Sequence, residues 1–524
     1  MQAIPTGDYE QVELYFSCSK LKDLDYVGKS DPQVRVFLQT NGQWGLVGQT
    51  ETLQDNLNPT FKKTVLVDFI FETKQPLRFE VHDIDGPHKS EVIGTVETTV
   101  GDIMGARKQT LTLSLHNKSS KMTGTLNVKG DKTGSSRNVV FWQWSGVKLM
   151  NTDGWFGKSD PFLRFFKIRD GGDPLQVHET EFIKDNLNPI WKMCQVADDR
   201  LCSSNHSRPI RVECWDNSKS GKHNFIGTVD ITLDELKGGK KDFVLSNPKK
   251  SNPGTLRLLS FSLEIKPSFI DYLRGGEQLN LVTAIDFTGS NGVPSQPNSL
   301  HFINPNGTTL NEYQRAIIEV GQIVLAYDTD KAVPVHGFGG KPHFPTLNQP
   351  AVSHCFPCSG NPANTSAVGL DGIMQAYMYA IKNVELSGPT YFNPIITEAL
   401  KVASANLQAE ADVYTILLIL TDGEIHDMDA TIETLVSASR LPMSIIIIGV
   451  GGADFTKMEI LDGDTGNLKN SRGEKAARDF VQFVPFRKFE HDMSLLARHV
   501  LAEVPEQLVQ FKALNGLKPR VAMM

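Results

Sequence analysis

At 524 residues the chain has room for about three domains, and 53 basic against 60 acidic side chains leave a net charge of −7, which excludes a general nucleic-acid binder. Six cysteines (Cys18, Cys194, Cys202, Cys214, Cys355, Cys358) in so long a chain make no disulfide framework, and the stretch from Met1 to Asp8 lacks the basic and apolar regions of a signal peptide. A reduced, cytoplasmic compartment is therefore expected, with the Asn-x-Ser/Thr sites at Asn117, Asn205, Asn306 and Asn364 as chance matches. The longest apolar runs, Val413 to Leu420 and Ser444 to Val450, are too short to span a bilayer, so membrane contact is expected to be peripheral.

The first half of the chain is a tandem repeat. Gly28-Lys29-Ser30-Asp31-Pro32 returns at Gly157-Lys158-Ser159-Asp160-Pro161, 129 positions on, and Asp55-Asn56-Leu57-Asn58-Pro59 returns at Asp185-Asn186-Leu187-Asn188-Pro189. Leu77 to Asp83 and Ile210 to Cys214 alternate apolar and polar residues as half-buried strands do, and each is expected to run into an acidic loop. Val34 to Leu38 is followed by Asn41-Gly42, a type I′ hairpin signal, and Arg164 to Ile168 by Asp170-Gly171. About eight short strands per repeat and little helix predict two antiparallel β-sandwiches, over residues 8–130 and 135–266, with Thr255 to Ile265 closing the second.

In the first copy Asp25 and Asp31 bracket one loop, and Asp83, Asp85 and Glu91 lie at another. Five carboxylates at one end of a sandwich repel each other unless a cation sits among them, and calcium, with six to eight oxygen ligands in flexible geometry, suits the cluster better than magnesium. Leu24-Asp25, Ser30-Asp31-Pro32, Asp83-Ile84-Asp85 and Glu91-Val-Ile-Gly94 resemble a C2 domain, whose calcium loops carry aspartates at these spacings; Glu91 departs from that pattern. In the second copy Asp153, Asp160 and Asp216 are in place, but Ser218 and Asn224 stand where carboxylates are expected, and Lys219 adds a positive charge, which predicts a weak calcium site. Trp155-Phe156 at one loop tip and Lys219, Lys222 and His223 at another suit an anionic headgroup surface or a partner; the alternative is that the two aromatics pack back on the module.

After Lys250 to Gly254 the pattern changes. Strands are expected at Leu281 to Phe287, Tyr414 to Leu420 and Ile445 to Val450, and helices at Glu312 to Tyr327, Gly369 to Ile381, Pro394 to Leu407, Ala430 to Ser439 and Met493 to Val504. Uninterrupted apolar strands among amphipathic helices predict a doubly wound, Rossmann-like α/β domain over residues 275–512. Ligands of such folds sit beyond the carboxyl ends of the strands, where Asp286-Phe-Thr288-Gly-Ser290 and Thr421-Asp422-Gly423 deliver hard oxygen ligands for magnesium or manganese. The segment resembles a von Willebrand factor A-like domain with a metal-ion-dependent adhesion site; that resemblance adds Thr390 as a ligand and implies that an acidic partner group completes the coordination.

Two C2-like modules followed by an A-like domain, with Ile285 to Gly292, Leu441-Pro-Met443, Gly449 to Phe455 and Val481 to Phe486, resemble the copine family over residues 8 to 515. The resemblance implies a cytoplasmic, calcium-dependent protein that binds anionic phospholipid, moves to membranes when calcium rises and recruits cytosolic proteins through its A-like domain. The competing readings are a constitutive scaffold with calcium-independent C2 modules and a metal-dependent enzyme. No P-loop and no Gly-x-Ser-x-Gly elbow is present, so no catalytic residue is assigned. His354-Cys355-Phe-Pro-Cys358 lacks a fourth paired ligand for structural zinc, and the chain ends without a cysteine-rich ubiquitin-ligase motif.

Overall fold

The alternation that marks Leu77 to Asp83 as a strand buries Leu77, Phe79 and Val81 completely, against Val12, Leu14, Phe16, Val34 and Val36 of neighbouring strands. The computed structural model that carries this core describes residues 10–86, 89–132, 137–153, 157–168, 174–218, 223–463, 468–489 and 492–520. Two units result, one formed by Met1–Thr133 with Phe269–Met524 and one by Gly134–Ser268.

In the first unit the N-terminal module has eight antiparallel strands, in the order Gln43–Gln49, Pro32–Thr40, Pro76–Gly86, Lys89–Thr99, Thr110–His116, Met122–Lys132, Glu10–Ser19, Val65–Phe69. A single rung, Thr95 with His116, joins the first four strands to the last four. Asn41 (φ 51°) and Gly42 (φ 76°) both adopt positive φ, as the expected hairpin requires. The strand from Pro76 does not end at Asp83 but continues to Gly86, pairing Asp83 with Glu91 and Ile84 with Ser90. Asp83 therefore stands on a rung of the hairpin, and Asp85 at the irregularity between Ile84 and Gly86, rather than on a free loop, with ligand atoms of the two within 4.8 Å.

The second unit is a sandwich of two four-stranded antiparallel sheets: Leu175–Glu179, Pro161–Lys167, Ile210–Asp216 and Asn224–Ile231, and Cys194–Ala197, Arg137–Val147, Thr255–Lys266 and Asp242–Val244. Trp142, Trp144, Phe165 and Trp191 fill its core. Asp170 and Gly171, read as its hairpin, lie outside the described residues.

The C-terminal domain is built on parallel strands in the order Ala332–Phe338, Gln278–Asp286, Val413–Thr421, Met443–Gly449, Val481–Pro485, with short antiparallel additions Phe356–Pro357 and Ser366–Val368. Leu281, Ile285, Ile416 and Leu418 bury into one cluster with helices Glu312–Val324 and Met493–Leu501; Val282, Ala284, Leu417 and Ile419 bury into another with helices Asn393–Gln408 and Met428–Ala438. The expected helix from Glu312 to Tyr327 ends at Val324, and Leu325–Tyr327 tightens into a 3₁₀ turn. The helix expected from Met493 to Val504 ends at Leu501, and a further helix, Val504–Leu514, carries Pro505 in its first turn, where a missing N–H costs nothing. Pro334 and Gly337 obscured the strand Ala332–Phe338.

Within the first unit the N-terminal module packs on the C-terminal domain. Phe71 lies 4.9 Å from the Phe269 ring and 5.1 Å from that of Tyr327, Lys132 Nζ is within 3.5 Å of both Glu10 and Asp271, and Arg274 pairs with Asp131 at 3.1 Å. Gly105 closes the joint, since a Cβ there would fall 2.1 Å from the Ala326 carbonyl oxygen. Gly105→Ala is expected to cost about 1–3 kcal/mol, seen as a lowered thermal midpoint of the full chain. Gly452→Ala, with nothing within 4 Å of the added methyl, leaves the midpoint unchanged.

Candidate metal centres

Asp25, Asp83 and Asp85 each offer a ligand atom, all within 4.8 Å of one another. Asp83 is 2 % exposed and is fixed by the Asp31 N–H, which donates to its Oδ1 at 2.6 Å; the Asp31 carboxylate in turn accepts the Asp55 N–H at 2.8 Å. Partial loss of water, then repulsion from Asp83, Asp85, Asp31 and Asp23, pushes the Asp25 carboxyl above its ordinary value. Lys89 Nζ stands 3.0 Å from Asp85 Oδ2 and offsets part of this charge. Glu91 lies opposite Asp83 in the ladder, exposed, and is not one of the group of three. Tyr26 and Val27, beside Asp25, are fully exposed.

The second module repeats the scaffold. Asp160 N–H donates to Asp216 Oδ1 at 2.6 Å, Asp185 N–H donates to Asp160 Oδ1 at 2.7 Å, and Asn224 pairs with Asp216 where Glu91 pairs with Asp83. Asp153 is pushed upward by loss of water, then by Asp216, Asp160 and Asp185. At the position of Asp85, the Ser218 backbone N–H donates to His223 Nδ1 at 3.1 Å instead of a carboxylate facing the cluster. Trp155, Phe156, Lys219 and Lys222 lie outside the described residues.

The third site lies where neighbouring parallel strands Gln278–Asp286 and Val413–Thr421 end, the crevice at which the chain's direction of strand addition reverses. Asp286 is fully buried; its Oδ1 accepts the Thr288 N–H at 2.8 Å and its Oδ2 the Thr421 hydroxyl at 2.6 Å. Asp422 Oδ1 accepts from Ser290 at 3.0 Å, Thr288 at 3.4 Å and Asn291 Nδ2 at 2.8 Å. Thr390 reaches the same crevice: a Cβ on Gly423 would lie 3.4 Å from Thr390 Oγ1 and 3.6 Å from Ser290 Oγ. Among the described residues these carboxylates accept only neutral donors, and burial raises both: Asp286 is pushed up by it, and Asp422 to about 7, first by burial and then by the Asp286 charge. Two desolvated carboxylates ringed by three hydroxyls fit a hard divalent cation, which would supply the missing positive charge.

Sequence reasoning missed Asn291 and, as a carboxylate partner, Thr421. Thr421 opens the Thr421-Asp422-Gly423 motif, but its bond to Asp286 joins residues 135 apart, and nothing in the sequence signals it. Among the described residues the His354-Cys355-x-x-Cys358 segment does not gather three ligand atoms within 4.8 Å; Cys358 is fully buried, burial pushes the Cys355 thiol up to about 12, and the His354 ring packs at a tilt on Tyr391 with centroids 4.5 Å apart.

A family model described as C2 domain matches residues 13–115 and 138–246, and one described as Copine matches residues 299–520. The chain belongs to the copine family. Its C-terminal Copine domain is von Willebrand factor A-like, and the order C2, C2, Copine is the copine architecture. The Asp286 to Ser290 motif lies just before the Copine match, whereas Thr390 and Asp422 lie within it. Among solved structures the chain is similar to one titled BON1-C2B (29 % identity over 25 % of this chain and 94 % of that one, TM-score 0.23). It is also similar to the calcium-bound tandem C2 domains of Extended-Synaptotagmin 2 (16 %, 49 % and 98 %, TM-score 0.22). C2 and Copine domains belong to calcium- and phospholipid-binding, membrane-associated proteins that are generally not enzymes. No described helix of this copine is long and apolar enough to cross a membrane.

The buried pair gives the copine a pH signature. A carboxyl whose folded value exceeds its unfolded one stabilises the fold while protonated, so the Asp422 contribution is full below its ordinary 3.8 and is lost as pH rises through about 7. In chelator the thermal midpoint is expected to fall between pH ~5 and ~8. Asp422→Asn is expected to flatten that fall.

Proposed function

We propose that this copine is a calcium-dependent phospholipid-binding protein that recruits protein partners to membranes. The observation that carries the reading is the acidic trio Asp25, Asp83 and Asp85, gathered within 4.8 Å beside exposed Tyr26 and Val27. With Asp31 and Glu91 they form the calcium site of a first C2 domain (residues 8–130). Bound calcium turns that end from repelling to attracting anionic headgroups. The second C2 domain (135–266) holds calcium weakly through Asp153, Asp160, Asp216 and Asn224, and adds avidity through Trp155, Phe156, Lys219 and Lys222. The loss of two carboxylates there favours a calcium-independent contact for this module.

The third domain (275–512) is read as a doubly wound, Rossmann-like A domain. Asp286, Thr288, Ser290, Thr390 and Asp422 would hold magnesium or manganese, whose open position accepts a carboxylate from a cytosolic partner. The protein acts by binding rather than catalysis, in the cytoplasm until calcium rises.

Sedimentation with phosphatidylserine vesicles across a calcium titration tests the reading. Binding that rises with calcium and is lost in Asp83→Asn/Asp85→Asn supports it. Equal binding with and without calcium, unaffected by the variant, makes the protein a constitutive scaffold.

A further inference from the structure

Besides Thr421, the crevice at Asp286 and Asp422 holds a further polar side chain outside the ligand set. Asn291 is 1 % exposed, and each end of its amide is engaged: Nδ2 donates to Asp422 Oδ1 at 2.8 Å and to the Thr288 carbonyl at 3.2 Å, while Oδ1 accepts the Tyr313 hydroxyl at 2.6 Å. The opposite amide orientation would set Oδ1 against the Asp422 carboxylate, so the network itself fixes which way the amide points.

Tyr313 is held in turn. It is fully buried on the first turn of helix Glu312–Val324, whose Asn311 cap fixes the helix start, and its ring stacks on His301 with centroids 4.4 Å apart. His301 reaches back to the other carboxylate's strand end, with Nε2 2.8 Å from the Asp286 carbonyl oxygen and Nδ1 2.9 Å from the Tyr377 hydroxyl. A chain of buried contacts thus runs from behind Asp286 to behind Asp422. Ser290, Thr288 and Asn291 all converge on Asp422 Oδ1, which ties down one carboxylate oxygen and leaves the other free of these three donors.

We propose that Asn291 is a positioning residue of this metal site, holding the Asp422 carboxylate for the cation, and that Tyr313 acts through it by fixing the amide. A neutral donor suits the task, because it orients the carboxylate without competing for the cation or adding to the charge already buried. The proposal rests on the reading of Asp286, Thr288, Ser290, Thr390 and Asp422 as a divalent cation site.

The test uses the full chain carrying Asp83→Asn/Asp85→Asn, to silence the first module, titrated with Mn²⁺ while free metal is read by electron paramagnetic resonance. The binding that Asp286→Asn abolishes is the site's own. Asn291→Ala is expected to weaken it about 10- to 100-fold and Tyr313→Phe to weaken it less. The double variant is expected to be no weaker than Asn291→Ala alone, since Tyr313 acts through the amide. Unchanged affinity in either single variant, even with a lowered thermal midpoint in chelator, overturns the proposal, and so do additive losses in the double variant. If the background shows no Mn²⁺ binding that Asp286→Asn removes, the metal reading itself fails and the proposal falls with it.

Discussion

The repulsion among carboxylates gathered at strand ends is the constraint around which this chain is built. Like charges within a few ångströms are tolerated only when backbone geometry over-determines their positions or a cation joins them. In the first module the backbone supplies that geometry. The hairpin brings ligand atoms of Asp83 and Asp85 within 4.8 Å of each other, the Asp31 N–H pins Asp83, and the Asp55 N–H pins Asp31. The second module keeps the same pins, Asp160 on Asp216 and Asp185 on Asp160, although its carboxylate set is smaller. The scaffold hydrogen bonds thus persist where the charges have changed. Structure and charge are separable here, since one scaffold carries two different carboxylate sets.

The same constraint recurs in the third domain in a drier setting. Asp286 and Asp422 are buried and surrounded by hydroxyls, an amide and backbone N–H groups, so their charges are costly without a cation. Because the first module and the third domain share one unit through Phe71, Phe269, Tyr327 and the Gly105 contact, the acidic trio and the buried pair belong to one folded body. Helix Glu312–Val324 carries Tyr313 toward the buried pair at one end and leads into Leu325–Tyr327 at the joint.

Much of this was legible in the sequence because the repeat aligned the acids of two modules and because uninterrupted strands such as Ile445 to Ile448 have few other solutions than a covered parallel sheet. The acids and hydroxyls that the structure gathers, Asp83 with Asp85 and Asp286 with Thr288 and Ser290, were legible because Asp-x-Asp and Asp-x-Thr-x-Ser are local, whereas Thr390 came from the resemblance alone. What the sequence hid is non-local. Pro334 disguised a strand that pairs with Gln278–Asp286, and the helix Val504–Leu514 that Pro505 helps to start was not anticipated. Asn291 lies one residue past the motif yet acts on Asp422 from 131 positions away, and the joint made by Gly105 and Ala326 follows from no pattern in either segment.

The most direct test of the account is calorimetric titration of calcium into the full chain, with Asp25→Asn beside the wild type. Asp25 is the member of the trio on which the repulsion falls, and it is not the residue that pins the backbone. The account predicts that the wild type takes up calcium with a heat that the variant loses or yields only at much higher calcium. Indistinguishable titrations of the two proteins would contradict it, because the acids would then be gathered for a purpose other than holding the ion.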